Sequence, residues 1–250
     1  MSGDVILSTI GVTKRFGRFF ALRDVTVAFN RGSLTSIIGP NGAGKSTYFN
    51  LLSGALSPTT GKIFFEGRDI AALPQHTFAH LGIAKSSQIT SVFPELSTVE
   101  NVRIAAQARR VRYNFWTPRA RYIELIDKAQ ALLEVVGIAH RGDLPARALA
   151  HGEQRALEIA MALASEPRLL LLDEPTAGMS PVETRTMMDL IAGLAAKRTV
   201  ILVEHKMKLV MGISQRLVVL HHGEIVAEGT PDEIRGNDTV RRIYLGGRKF

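Results

Sequence analysis

The residues with the most chemistry in them stand in one run, Gly39-Pro40-Asn41-Gly42-Ala43-Gly44-Lys45-Ser46-Thr47. The spacing is G-x-x-x-x-G-K-[ST], a phosphate-binding loop. Its glycines let backbone N–H groups approach phosphate oxygens where a Cβ would stand in the way. Lys45 is a point charge for β- and γ-phosphates, Ser46 is an oxygen donor for Mg²⁺, and Thr47 helps to hold the phosphates. A second run, Asp173-Glu174, follows four leucines. Asp173 is placed to hold Mg²⁺, because a hard cation wants oxygen ligands. Glu174 can polarise a water aimed at a γ-phosphate. A third, Glu204-His205, ends another apolar run, and His205 can keep γ-phosphate and attacking water in register. Taken singly, an Asp-Glu pair after an apolar strand is also what a helix cap looks like. Three such ends on one parallel sheet make a site, because ligands bind at the carboxyl ends of parallel strands.

The elements that must position these groups are legible around them. Leu34 to Ile38 reads as a short buried strand and Ser46 to Ser53 as the first turns of a helix. Leu169 to Leu172 and Thr199 to Val203 are apolar on both faces, which is the pattern of central parallel strands. Helices are expected over Pro181 to Ala196 and Lys206 to Ile213. Val5 to Val12 and Ala21 to Phe29 alternate and read as antiparallel strands, with Phe16 at the turn between them. Lys62 to Phe65 is a further strand, and Gly82 to Gln88 is a strand that ends at the polar Gln88. From Ser97 to about Ser165 the strand pattern stops. Ser97-Thr98-Val99-Glu100 resembles a capping box, and Leu125, Ala129, Leu133 and Val136 keep helical spacing. After Arg216 come two short strands about His222-Gly223-Glu224, then a capped helix start at Thr230.

Bulk composition narrows the classes. The chain has 250 residues, 46% apolar, so one large domain or two small ones can bury a full core. No run of 18 apolar residues occurs, so no spanning helix is expected. Met1-Ser2-Gly3-Asp4 has neither a positive flank nor an apolar region, so no secretory signal is expected. The absence of cysteine removes disulfides and thiol chemistry and fits a cytosolic protein. The net charge of +8 suits nucleic acid, anionic lipid or polyphosphate as a partner. His76 and His80 are helix-spaced; a solvated face explains them as well as a metal does. Asn101 to Tyr122 holds six arginines and no acid among Tyr113, Phe115 and Trp116. That stretch is either a solvated helix end or a surface meant for headgroups or an acidic partner.

Leu149-Ala150-His151-Gly152-Glu153-Gln154, just before a helix expected over Arg155 to Ala164, decides among the possibilities. With this segment the chain resembles the ATP-binding-cassette (ABC) ATPases over nearly its whole length. The segment is similar to their signature, usually Leu-Ser-Gly-Gly-Gln, with Ala150, His151 and Glu153 as departures and Gly152 kept. The resemblance implies an α/β fold: a P-loop NTPase core with a mixed, largely parallel sheet, an N-terminal antiparallel β subdomain and a helical insert. It implies one cassette domain over 1–250, the insert spanning about 97–165 and the core about 1–96 and 166–250. It implies ATP and Mg²⁺ as cofactors, Phe16 stacking on adenine, and Gly39 to Thr47 as Walker A. Gln88 becomes the Q-loop glutamine that senses Mg²⁺, Asp173 the Walker B acid, Glu174 the general base and His205 the switch histidine. Ala177 to Ser180 becomes the D-loop, with Ser180 where Asp is usual. Leu149 to Gln154 would act in trans on a partner's ATP.

Closer still, Leu149 to Leu163, Asp173 to Pro181, Val203 to Gly212 and Arg241 to Gly246 are similar to cytosolic subunits of branched-chain (hydrophobic) amino-acid importers. That implies a second cassette, the same or different, membrane permease subunits, and indirectly a periplasmic or extracellular substrate-binding protein. It implies a peripheral place on the cytoplasmic face of the membrane and no nucleic acid. Urea or amide importers share parts of the likeness, and a lipid or drug exporter is the main alternative. A soluble cassette of translation or DNA repair is disfavoured, since the second cassette or long coiled coil usual there is not present. A subunit that only binds ATP is disfavoured by intact Lys45, Asp173, Glu174 and His205.

Overall fold

The computed structural model describes residues 4–86, 92–110 and 123–245, with side chains in α-helix 98–110 described as far as Gln107. Two sheets carry the architecture. The first is antiparallel, in the order β2 (Phe19–Asn30), β1 (Val5–Phe16), β4 (Thr60–Phe65), β5 (Arg68–Asp69). The second runs β10 (Glu224–Gly229), β9 (Arg216–His221), β3 (Leu34–Ile38), β8 (Thr199–Val203), β7 (Leu169–Asp173), β6 (Ile83–Ser86). Its five strands from β9 to β6 are parallel, and β10 is an antiparallel hairpin partner at one edge. The expected mixed, largely parallel sheet and the antiparallel sheet are both present.

The leucine run works because it serves two cores. Leu169 and Leu171 join one cluster, Leu170 and Leu172 the other. Val200 and Leu202 alternate with Ile201 and Val203 in the same way, as do Leu217 and Val219 with Val218 and Leu220. One face packs on Ile6, Leu7, Phe29 and Phe65 of the antiparallel sheet and on α1 (Lys45–Leu52). The other packs on α5 (His151–Ala164) and α6 (Pro181–Ala195). Each buried leucine contributes roughly 1.5–3 kcal/mol. A polar residue anywhere in 169–172 would therefore damage one core or the other.

The helical region is α3 (Thr98–Arg110), α4 (Ile123–Val135) and α5. Leu125, Ala129 and Leu133 are the buried stripe of α4, as their spacing predicts, and they meet Val102, Ala106 and Leu157. Asn101 is wholly buried and its amide pins the preceding loop, donating to Phe93, Leu96 and Ser97 carbonyls and accepting from Phe93 N–H. Of the arginine-rich stretch, Arg103 is buried on its own helix and pairs with Glu100 and Gln107, so it does not belong to a headgroup surface. Arg112, Arg119 and Arg121, and the side chains of Arg109 and Arg110, lie outside the described residues. His76 and His80 are exposed on α2 (Gln75–Leu81). Among the described residues no group of three or more potential ligands gathers for a metal.

Candidate nucleotide site

β3 leads into the glycine run, and α1 begins on its far side. The helix has no side-chain cap; Gly44 stands at the N-cap with φ 100°, a left-handed conformation that side chains disfavour. A Cβ there would lie 2.7 Å from the Ala21 carbonyl oxygen. The loop is held from behind by the β9–β10 turn, where Gly223 N–H donates to Ala43 (3.0 Å), and Arg23 N–H donates to Gly223 (2.9 Å). Tyr48, fully buried in α1, meets Thr9 of β1 through a 2.9 Å hydrogen bond and ties the helix to the antiparallel sheet. The first turn of α1 holds no acid, so the positive end of its dipole is not offset there.

A cavity of about 660 Å³ opens over this loop. Asn41 to Thr47, Arg18, Phe19, Phe20, Ala21, Arg23, Glu174 and His222 line it. Its described cations are Arg18, Arg23 and Lys45, a composition suited to a polyphosphate. Phe16 is the last residue of β1, 47% exposed, and it does not line the cavity. The aromatic wall is Phe19 and Phe20, with the Phe20 ring 4.9 Å from the Arg23 guanidinium. Sequence reasoning missed these two; the signal was the aromatic pair just beyond the Gly17-Arg18 turn.

Lys45 is buried, and its Nζ donates to the carbonyls of Gly39 (2.8 Å) and Pro40 (3.0 Å). Burial lowers its pKa, and the carboxylates of Glu174 and Asp173 work against that shift. Asp173 ends β7. Burial, then Glu174 beside it, pushes its carboxyl up to about 6, while Lys85, Lys45 and Arg155 pull the other way. Its Oδ1 is buried and has no hydrogen-bond partner among the described residues. An orphaned carboxylate oxygen among cations fits a hard divalent ion, which supplies the missing interaction. Ser46, exposed at the start of α1, is the hydroxyl the loop offers to the same ion.

Glu174 follows directly at φ 44° and His205 Nδ1 lies 3.5 Å from its Oε1. The parallel pairing of β7 with β8, Asp173 opposite Val203, sets these strand ends side by side. The structure thus brings Lys45, Asp173, Glu174 and His205 together. Gln88, two residues beyond the end of β6, lies outside the described residues.

Leu149 to Gln154 is elsewhere, and none of its residues lines the cavity. The helix starts at His151, not near Arg155 as the sequence suggested, so the motif is the first turn of α5 itself. Ala150 is the N-cap. Glu153 reaches back to its N–H at 2.9 Å, but alanine has no hydroxyl to return the bond. Arg141 holds Glu153 at 2.9 Å. A Cβ on Gly152 would come 2.9 Å from Glu183 Oε1, and one on Gly178 would come 3.3 Å from the His151 ring. Ser180, in place of the usual acid, caps α6 with Glu183 as its reciprocal partner.

Comparison with known proteins follows the same lines. A family model described as ABC transporter matches residues 22–177, and one described as branched-chain amino acid ATP-binding cassette transporter matches 224–249. The chain is 42% identical to the high-affinity branched-chain amino acid transport ATP-binding protein BraF of Pseudomonas aeruginosa, over 96% of this chain and 98% of that one. It is 40% identical to LivG of Salmonella typhimurium, which carries the same description, with the same coverage. It is also 35% identical to the lipopolysaccharide export system ATP-binding protein LptB of Acidithiobacillus ferridurans, over 96% and 97%. A crystal structure of an ABC-transporter cassette in its ADP conformation superposes with a TM-score of 0.86 at 32% identity, covering 97% of this chain and 99% of that one. A nucleotide-free cassette gives 0.84 at 32% identity, with the same coverage.

Proposed function

The chain belongs to the ABC transporter ATP-binding family, an ATPase family, and on that premise we propose that it hydrolyses MgATP to drive import of branched-chain or other hydrophobic amino acids. The observation that carries the chemistry is the orphaned Oδ1 of Asp173 beside Glu174 and His205, at the strand ends nearest Lys45. The loop N–H groups and Lys45 bind and orient the phosphates. Asp173 and Ser46 would hold Mg²⁺, with Gln88 as a further contact; the bound ion neutralises phosphate charge. Glu174 takes a proton from the attacking water, and His205 fixes the water and γ-phosphate relative to it. Phosphoryl transfer to water is mostly positioning and charge stabilisation, which is what these residues supply. Adenine stacks against the aromatic end of the β1–β2 hairpin, with Phe16, Phe19 and Phe20 as the available rings.

The working unit proposed is a helical lobe of about 97–165 on a nucleotide-binding core of about 1–96 and 166–250. No described helix is long and apolar enough to cross a membrane. Transport therefore calls for permease subunits, a peripheral place at the cytoplasmic face and, for import, an external binding protein. The segment Leu149 to Gln154 serves a second cassette's ATP head to tail, which its absence from the lining of this chain's own cavity supports. The substrate class rests on the 39–42% identity to importer subunits and on the C-terminal match over 224–249. The 35% likeness to an export ATPase keeps export as the second reading. Uptake of labelled leucine, isoleucine and valine decides between them. Loss of uptake in cells carrying Glu174→Gln supports import; unchanged uptake of all three contradicts it.

A further inference from the structure

One buried acid is left over by this chemistry. Glu204, the residue after β8, is 0% exposed. Its Oε1 accepts from Thr176 N–H (3.3 Å) and from Thr176 Oγ1 (2.5 Å). Its Oε2 accepts from His205 N–H (3.2 Å) and lies 3.9 Å from His205 Nδ1. Its own N–H donates to the carbonyl of Ile37 in β3, at 3.4 Å, two residues before the glycine loop begins at Gly39. Thr176 is also fully buried and stands two residues beyond Glu174. One residue therefore ties together three chain segments: its carboxyl group links those of Glu174 and His205, and its backbone N–H links them to the strand that leads into the P-loop. Apolar packing does not ask for it: valine, isoleucine and leucine fill the adjoining positions of β8. Burying a carboxyl group is costly unless its oxygens are satisfied, and here three donors satisfy them.

The reason such a tie is needed lies at Glu174. Its φ of 44° puts a residue with a Cβ in the left-handed region, at a cost of about 1–3 kcal/mol, and the surroundings must hold it there. Glu174 N–H donates to Val203 (2.9 Å), and Ala177 N–H donates back to Glu174 (3.0 Å). The turn so formed is anchored at its midpoint by Thr176 on Glu204. We propose that Glu204 is a positioning residue for hydrolysis: its carboxyl group fixes the separation of Glu174 and His205, and so the place of the attacking water, without touching nucleotide. The inference rests on the roles proposed above for those two residues.

The test uses the full chain in three variants. Glu204→Gln keeps the shape but turns one acceptor into a donor facing other donors. Thr176→Val removes the hydroxyl from the other side. Each should lower kcat about 10–100-fold, the order expected for sub-ångström to ångström misplacement, with the Kd for MgATP within twofold of wild type. The double variant should be no worse than the poorer single, because both break one contact. A kcat within twofold of wild type in Glu204→Gln, or a parallel loss of binding and turnover, overturns the proposal. Should Glu204→Gln fail to fold, unchanged kcat in Thr176→Val overturns it as well. Glu174→Gln is run alongside. If that variant turns over normally, the assigned roles fail; if it is inactive while Glu204→Gln is normal, only the clamp fails.

Discussion

The P-loop and the segment Leu149–Gln154 are both helix starts that present backbone N–H groups, yet they are finished differently. At α1 the cap is Gly44, no acid stands in the first turn, and the neighbouring side chains include Arg18, Arg23 and Lys45. At α5 the chain's own carboxylates already occupy the turn. Glu153 bonds Ala150 N–H, and Glu183 lies over Gly152, its pKa lowered chiefly by hydrogen bonds from Ser180 and further by the Gly152 backbone. A helix start becomes an anion site when the charge around it is left unbalanced. The first is ready for phosphate within this chain. The second is balanced at home, which suits a surface that meets nucleotide only when a partner brings it.

The largest effect that would break this contrast is at the base. Glu174→Gln should lower turnover by about 10²–10⁴ while ATP still binds, because only proton transfer is removed. Turnover within twofold of wild type, measured by phosphate release, would take Glu174 out of that role.

Next in size is the glycine that the P-loop cannot replace. Gly44→Ala meets both a φ of 100° and the Ala21 carbonyl, so it should weaken MgATP binding roughly tenfold or more. Gly42→Ala, at φ 78° with open space around the new Cβ, should cost about 1–2 kcal/mol in stability from the backbone alone and leave affinity closer to wild type. Calorimetry on the pair sharpens the comparison; equal affinities would mean the loop does not approach phosphate closely.

A smaller effect follows from Asp173. Its folded-state pKa of about 6 lies above the usual 3.8, so the folded chain binds this proton more tightly than the unfolded one. Stability from this group is therefore greatest below about pH 4 and is lost as pH rises through 6. Asp173→Asn should remove that slope. Without Mg²⁺ the variant should gain about 1–2 kcal/mol on wild type between pH 4 and 7, less than the full shift because water reaches the group. Urea unfolding at several pH values measures it, and parallel curves would contradict the burial argument. Mg²⁺ competes with the same proton, so wild-type Mg²⁺ affinity should fall as pH drops through 6.

Much of this was legible in the chain because the signals are local. Four consecutive leucines in a strand need apolar packing on both faces, and G-x-x-x-x-G-K-S specifies its own turn. The spacing of Leu125, Ala129 and Leu133 gave the buried face of α4. What was not legible depends on contacts distant in sequence. Glu204 looks like any polar residue at a strand end until Thr176 is folded against it. Phe19 and Phe20 read as ordinary strand aromatics; the cavity reaches them because the β1–β2 turn lies beside the P-loop. The start of α5 was placed too late because Ala150 lacks the hydroxyl that usually marks an N-cap, and the mark that remained was Glu153, three residues on.

The division of labour between the two helix starts is tested most directly at Gly152. Gly152→Asp puts a negative charge at the head of α5, against the flexible side chain of Glu183. Photoreactive ATP crosslinking and MgATP calorimetry on the assembled cassettes report each site separately. The account predicts an affinity at this chain's own Lys45 site within twofold of wild type, with hydrolysis lost at the site the segment faces on the partner. Loss of nucleotide from the Lys45 site, with the partner's site still hydrolysing, would contradict it.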